Sequence, residues 1–195
     1  MPSKPVLTAK KAKVDVLSSR TAFEGPLFRV EIDEVREPGN RISRRDVIRH
    51  NGSVVILAVD DSRKRDPLIV MERQYRHAAG QYMWEIPAGK IEEGEKRLAA
   101  AKRELREETG YSAKTWTKLT RYIPSPGFLG EWMQIYLAEG LTLGKTSPDE
   151  DEWLEVKLAP LSEVLTNIEE GKILDGKTLI AVLLFTHLRA KHKRK

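Results

Sequence analysis

The apolar residues change their spacing along the chain, and each change marks an element. Leu27, Val30, Ile32 and Val35 recur at strand-like intervals until Pro38-Gly39-Asn40, a turn signal. Val47-Ile48 opens another strand, and Asn51-Gly52 after it is a strong hairpin signal. Ser53 to Val59 (SVVILAV) is a continuous β-branched run, expected of a strand buried on both faces. Leu68 to Tyr75 follows as a further strand, after a charged turn over Asp60 to Pro67. From Gly94 the period lengthens. The spacing predicts a helix to Thr109, with Glu95 in its first turn and Gly110 just past its end. Trp116 to Ile123 and Trp132 to Leu137 read as strands around a Pro-Ser-Pro-Gly loop, and Trp153 to Leu158 as another. Leu161 to Glu170 and Thr178 to Lys191 read as two closing helices. Strands mixed with three helices predict an α/β fold, a mixed sheet covered on both faces.

Composition sharpens this picture in one respect. The 195 residues carry 34 Lys+Arg against 29 Asp+Glu, a net charge of +5. Lys4, Lys10, Lys11 and Lys13 lie at one end, and Arg189, Lys191, Lys193, Arg194 and Lys195 at the other. The body between Val14 and Leu188 is therefore net −4. An acidic body argues against a nucleic-acid partner, although basic ends on RNA keep an RNA-binding or RNA-end-processing protein as a contrasting class. No apolar run approaches the roughly 18 residues of a membrane span, the longest being Leu179 to Phe185. Cysteine is absent, which excludes disulfides, thiolate zinc sites and Cys nucleophiles. With no apolar leader segment at the start, a cytoplasmic location is expected. The expected domains are a flexible basic lead-in over 1–20, a β arm over 21–50, a main domain over 51–188 and a basic tail over 189–195.

The richest chemistry lies in GKIEEGEKRLAAAKRELREETGY, from Gly89 to Tyr111. At 100° per residue, with Leu98 at zero, Leu105 falls at about 340° and Ala101 at about 300°, an apolar stripe. Glu107, Glu104 and Glu108 fall beside it at about 180°, 240° and 280°. Glu104 and Glu108 stand four residues apart, where like charges destabilise a helix. A hard divalent cation such as Mg²⁺ or Mn²⁺ would relieve that repulsion. The plainer reading is a solvated face with Lys102, Arg103 and Arg106 as counter-ions.

The full spacing favours the first reading. Gly89, Glu95, Arg103, Glu104, Leu105, Glu107, Glu108, Gly110 and Tyr111 fill G-x5-E-x7-R-E-aliphatic-x-E-E-x-G-hydrophobic. Seven of these positions demand one residue each, so a chance match is on the order of 10⁻⁸ per start position. This is the Nudix box, and the chain resembles the Nudix hydrolases over roughly residues 27–185. Gln74-Tyr75-Arg76, the stretch Glu85-Ile86-Pro87-Ala88-Gly89-Lys90-Ile91 and Pro126 resemble the ADP-ribose pyrophosphatase branch.

The resemblance implies a Nudix α/β/α sandwich and metal-dependent hydrolysis of a nucleoside diphosphate sugar such as ADP-ribose. GDP-mannose or another sugar nucleotide is the alternative substrate. It implies Mg²⁺ or Mn²⁺ held by Glu104, Glu108 and the Ala88 carbonyl, with Glu107 as an additional ligand. Arg103 would hold the Glu cluster in place. Arg76 and Glu85 would lie near the substrate, against the plainer readings of a surface ion pair and a strand-face carboxylate. Glu95 is read as structural, complementing the helix dipole. The general base would come from an acidic loop, Ser147 to Trp153, with Glu152 favoured and Glu150 second. The resemblance also suggests a homodimer formed through the N-terminal β arm.

Two further features carry plainer readings. Gly171-Lys172-Ile173-Leu174-Asp175-Gly176-Lys177-Thr178 matches the phosphate-loop pattern G-x4-G-K-(S/T). A phosphate loop follows a buried strand, whereas this segment follows a helical one. It is read as a turn with Asp175 or Thr178 near the start of the last helix. Trp84, Phe128 and Trp132 could stack on a base, but core packing is the ordinary role of such residues.

Overall fold

The computed structural model describes residues 13–144 and 154–192. They divide into two compact units. The first takes the chain up to His50 together with Ser125–Gly130, and the second takes Asn51–Pro124 and the chain from Glu131 on.

The first unit is an antiparallel sheet in the order β1 (Asp15–Glu24), β2 (Arg29–Arg36), β3 (Ile42–Arg49). The turn between β2 and β3 closes where expected, with Asn40 at a φ of 63°, a region Asn tolerates. Buried Asp33 organises the sheet. It accepts from Ser19 Oγ at 2.6 Å and from Arg49 Nη2 at 2.8 Å, while Arg49 Nε donates to Glu31 at 2.6 Å. The 125–130 segment joins β3 through Ile48 N to the Phe128 carbonyl and Gly130 N to the Ile48 carbonyl, both 2.8 Å.

Strand β1 begins at Asp15, so the last residues of the expected lead-in are extended and paired. Nearly every β1 residue is exposed. Ladder bonds to β2 rather than a buried face hold this strand, and a hydropathy pattern carries no trace of them. The hairpin expected at Asn51-Gly52 does not form. Strand β3 pairs with β2 along its length, and the strand after Gly52 belongs to another sheet.

In the second unit the elements run β4 (Ser53–Asp60), β5 (Leu68–Arg76), a short 3-10 turn (His77–Ala79), β6 (Gln81–Glu85) and β7 (Ala88–Lys90). Then come α1 (Arg97–Thr109), β8 (Tyr111–Tyr122), β9 (Met133–Leu143), β10 (Glu155–Pro160), α2 (Leu161–Glu169) and α3 (Gly176–His192). The sheet order is β10-β5-β4-β9-β8, with β6 on β5 and β7 on β4. Only the β4–β9 pair is parallel among these, so the sheet is mixed.

Strand β4 explains the layering. Val54, Ile56 and Ala58 pack with Ala100, Ala101 and Leu105 of α1 on one face. Val55, Leu57 and Val59 pack with Val164, Ala181, Val182 and Phe185 of α2 and α3 on the other. Each fully buried Val, Leu or Ile contributes about 1.5–3 kcal/mol, and a strand apolar on both faces is stable only between two helical layers. This is the α/β/α sandwich. Helix α3 runs to His192, so Arg189 and Lys191 of the expected basic tail are helical.

Helix α1 starts at Arg97, three residues after the expected start. Glu95 precedes it and does not complement its dipole. Instead Glu92 N donates to Glu95 Oε2 at 3.2 Å and Glu95 N to the Glu92 carbonyl at 3.0 Å, a closed turn ahead of the helix. Leu98, expected in the apolar stripe, is 38% exposed. The buried face is centred instead on Ala101, Glu104, Leu105 and Glu108. The helix ends at Gly110, whose φ of 74° suits glycine, with its N–H on the Arg106 carbonyl.

Candidate active site

The site grows from a strand that changes partners. Strand β6 pairs with β5, placing Glu85 opposite Glu72. The chain then crosses at Ile86-Pro87 and pairs with β4 as β7, setting Ala88 against Val55 and Gly89 against Val54. Proline at the crossing has no N–H to offer, but its carbonyl accepts from Ile56 N at 2.8 Å. Gly89 thereby faces α1 so closely that a Cβ there would stand 2.0 Å from the Glu104 carboxyl carbon. The glycine leaves that volume to a carboxylate.

Arg103 ties the helix to the turn before it. Its Nη1 donates to Glu104 Oε1 at 2.7 Å and to Glu107 Oε2 at 3.0 Å. Its Nε and Nη2 donate to the two Glu95 oxygens at 3.1 and 3.0 Å, and Nη2 also reaches the Lys90 carbonyl at 3.2 Å. The hydrogen bond to Glu95 raises the Arg103 pKa above its ordinary value against the cost of desolvation, and Glu104 and Glu107 add to it. The same bond holds the Glu95 carboxyl below the usual carboxylate range. A helical wheel sets Glu95 opposite Glu104, but Glu95 lies outside the helix, so one guanidinium serves both.

The remaining charges form a second group. Arg76 Nε donates to Glu85 Oε1 at 2.7 Å. Burial would lower the Arg76 pKa, but the fields of Glu85, then Glu72 and Glu108, outweigh it and raise the value. Glu72, Glu85, Glu104 and Glu108 are all buried. Four buried carboxylates around a few cations are costly in a protein interior.

This donor set is all oxygen and therefore chemically suited to a hard divalent cation. Glu104 and Glu108 share the buried face of α1, and the open volume at Gly89 accommodates the Glu104 carboxylate beside the Ala88-Gly89 backbone. Among the described residues no three acidic or His side chains already converge as a cage. Glu104 and Glu107 converge on Arg103 instead. Glu150 and Glu152 lie outside the described residues.

Two residues of this neighbourhood were not singled out as site residues from sequence. Glu72 sits in the apolar run Leu-Ile-Val-Met-Glu, and an acid at a position buried on a sheet face was the available signal. Lys177 is buried and donates to Glu85 Oε2 and, at 3.0 Å, to Asp175 Oδ1. It falls in the phosphate-loop match. There Asp175 caps α3, accepting from Thr178 N at 2.9 Å and from Thr178 Oγ1 at 2.6 Å. Phe128 and Trp132 are 53% and 44% exposed and so are not core residues. The Trp132 ring lies 4.4 Å from the Arg121 guanidinium carbon. Trp84 is partly buried against the α2 and α3 face.

Three comparisons bear on this geometry. A family model described as NUDIX domain matches residues 49–179. The chain is 37% identical to an ADP-ribose pyrophosphatase of Bacillus subtilis (strain 168) over 89% of its own length and 92% of that protein. It is also 37% identical to a methanol dehydrogenase activator of Bacillus methanolicus, over 91% of this chain and 95% of that one. Among solved structures, one titled as an ADP compounds hydrolase superposes with a TM-score of 0.80 at 22% identity, covering 96% of this chain and all of the other.

Proposed function

The chain belongs to the NUDIX domain family, and from that premise we propose that it hydrolyses the pyrophosphate bond of ADP-ribose or a related nucleoside diphosphate sugar. Water adds across the P–O–P bridge of ADP-ribose, giving AMP and ribose 5-phosphate. The observation that carries the reading is the Arg103 clamp on Glu95, Glu104 and Glu107 beside the Ala88-Gly89 strand. The ADP-ribose pyrophosphatase relative supports the choice of substrate.

In this reading Glu104, Glu108 and the Ala88 carbonyl hold Mg²⁺ or Mn²⁺, with Glu107 as an additional ligand. The ions, when bound, polarise the phosphoryl oxygens and lower the pKa of coordinated water. Arg103 keeps Glu104 and Glu107 beside each other, and binding an ion would draw them from the guanidinium into a ligand cage. Arg76, fixed on Glu85 and 38% exposed along its side chain, offers a cation to a substrate phosphate. Glu152 removes a proton from the attacking water, with Glu150 as the second choice. Glu152→Gln should lower kcat by about 10²–10⁴-fold with metal affinity retained, the usual reach of a general base.

A homodimer formed through the β arm and a cytoplasmic location belong to the same proposal. Val16 and Phe23 of β1 are exposed, and β1 is an edge strand, a surface prone to pairing with another chain. A monomeric mass by light scattering would remove the dimer.

The deciding experiment is a panel of ADP-ribose, ADP-glucose, GDP-mannose, UDP-glucose, NADH and a diadenosine polyphosphate, assayed for released monophosphate with Mg²⁺ and with Mn²⁺. ADP-ribose should be turned over with the highest kcat/KM. A preference for GDP-mannose would move the substrate to the alternative, and no turnover of ADP-ribose would remove it.

A further inference from the structure

The segment that imitates a phosphate loop occupies its own helix N-terminus. Asp175 fills the cap of α3, and Lys177 turns inward to Glu85. The first turn of α3 therefore grips the β6–β7 crossing at two adjacent residues. Lys177 donates to the Glu85 side chain, and Thr178 Oγ1 accepts from Ile86 N at 3.0 Å. Ile86 lies between the two strands, where the chain leaves β5 and has not yet joined β4. Its N–H has no place in either ladder, and a buried donor of that kind must be satisfied. Glu85, Lys177 and Thr178 are all buried, so these contacts are shielded from water.

The consequence for Glu85 is that each of its oxygens meets a different cation. Oε1 accepts from Arg76 and Oε2 from Lys177. With Lys177 in place, Glu85 cannot rotate away from Arg76 without giving up a buried ion pair and leaving the Lys177 ammonium to Asp175. Three residues further on, the same crossing delivers Ala88 and Gly89 beside Glu104.

We propose that Lys177 is a positioning residue for the hydrolytic reaction: it acts through Glu85 to fix Arg76 against the substrate, with Thr178 bracing the crossing beside it. The proposal rests on the hydrolase reading above. Nothing in it requires Lys177 to touch the substrate, and its ammonium is already occupied by Glu85 and Asp175.

The test is a double-mutant cycle on the full-length protein, read as kcat and KM for ADP-ribose with Mg²⁺. Lys177→Met should lower kcat/KM by about tenfold or more, chiefly through KM, because Arg76 is a substrate-binding group. In a Glu85→Gln background the same substitution should cost less than about twofold, since its route to Arg76 is already cut. Lys177→Arg should recover most of the activity. A loss of equal size in both backgrounds would show a merely structural role for Lys177 and overturn the proposal, as would a folded Lys177→Met enzyme with wild-type KM. Lys177→Gln, which loses the charge and is one atom shorter in reach, serves if the Met variant fails to fold, with the same outcomes. Amide exchange at Ile86 gives a reading independent of turnover. Lys177→Met and Thr178→Val should both lower its protection at least tenfold, and unchanged protection in both would remove the brace. If wild-type protein turns over no pyrophosphate in the panel, the hydrolase reading has failed, while the exchange result still reports on the contact itself.

Discussion

Gly89→Ala is the sharpest perturbation available at this site, because its effect can be worked out from distances. A Cβ at Gly89 would stand 2.0 Å from the Glu104 carboxyl carbon, 2.1 Å from Oε1 and 2.4 Å from Oε2. Carbon atoms in ordinary contact stay about 3.5 Å apart, so the carboxylate must retreat by about 1.5 Å. The strand resists yielding instead, since Gly89 and Ala88 are paired to Val54 and Val55 of the central strand β4. Overpacking of this kind costs about 1–3 kcal/mol, of which the lower chain entropy of alanine returns about 0.4–1. The fold should therefore survive with a modest fall in melting temperature. Activity should fall much further. A misplacement of about 1 Å in a reacting constellation costs on the order of 10²-fold, and Mg²⁺ tolerates poor ligand geometry badly. We expect kcat/KM for ADP-ribose to drop at least 10²-fold, equivalent to about 2.7 kcal/mol of transition-state stabilisation, with a higher Mg²⁺ requirement. Adding Glu104→Ala should restore stability by removing the clashing group while activity stays low. Turnover of Gly89→Ala within about threefold of wild type would refute the argument, as would a double variant no more stable than the single one.

Arg103→Met should destabilise the protein by about 2 kcal/mol, because one guanidinium serves Glu95, Glu104 and Glu107. Thermal melting with and without Mg²⁺ checks this: added Mg²⁺ should shrink the deficit by replacing the lost charge, and an equal deficit in both would count against a cation site there. Glu95 has a lowered pKa in the folded protein, first because of its hydrogen bond from Arg103. Its contribution is therefore present above the unfolded value of about 4.3 and is lost as pH falls through the lower folded value. Melting curves of wild type and Glu95→Gln should differ most near neutrality and converge in acid; a gap that persists unchanged to pH 3 would contradict this. Leu57, fully buried on the α2 and α3 face, should cost about 2–5 kcal/mol when changed to Ala, measured by urea unfolding.

These expectations divide by the kind of information they need. The run Ser53–Val59 and the Gly-ended helix at 110 are written in neighbouring residues, so both were legible in the sequence. Glu104 and Glu108 are neighbours on one helix face, and a 100° wheel is enough to bring them together. What a wheel cannot supply is which side of that helix is covered. Counting from Leu98 placed the apolar stripe too far round, because the sheet buries two glutamates along with Ala101 and Leu105. Strand β1 hides for a related reason: its ladder to β2 is a backbone interaction, indifferent to its polar side chains. The Asn51-Gly52 hairpin signal failed because local turn chemistry lost to the partners on either side, β2 for β3 and β9 for β4. Lys177 is the extreme case. Its partner lies 92 residues away in sequence, and the local pattern around it points to a phosphate. A buried lysine needs an anion. The sequence motif supplies a false one, whereas the fold supplies Glu85. The carboxylates of α1 can be found by spacing alone, and Arg103 of the same helix holds Glu104 and Glu107, whereas the cations that hold Glu85 come from other elements: Arg76 from β5 and Lys177 from α3. The acids of α1 and their clamp are therefore a local property of this chain, while the setting of Glu85 is a tertiary one. Substitutions in the box and at Lys177 should accordingly fail in different ways, the first by disturbing the Glu104 cluster and the second by loosening Arg76.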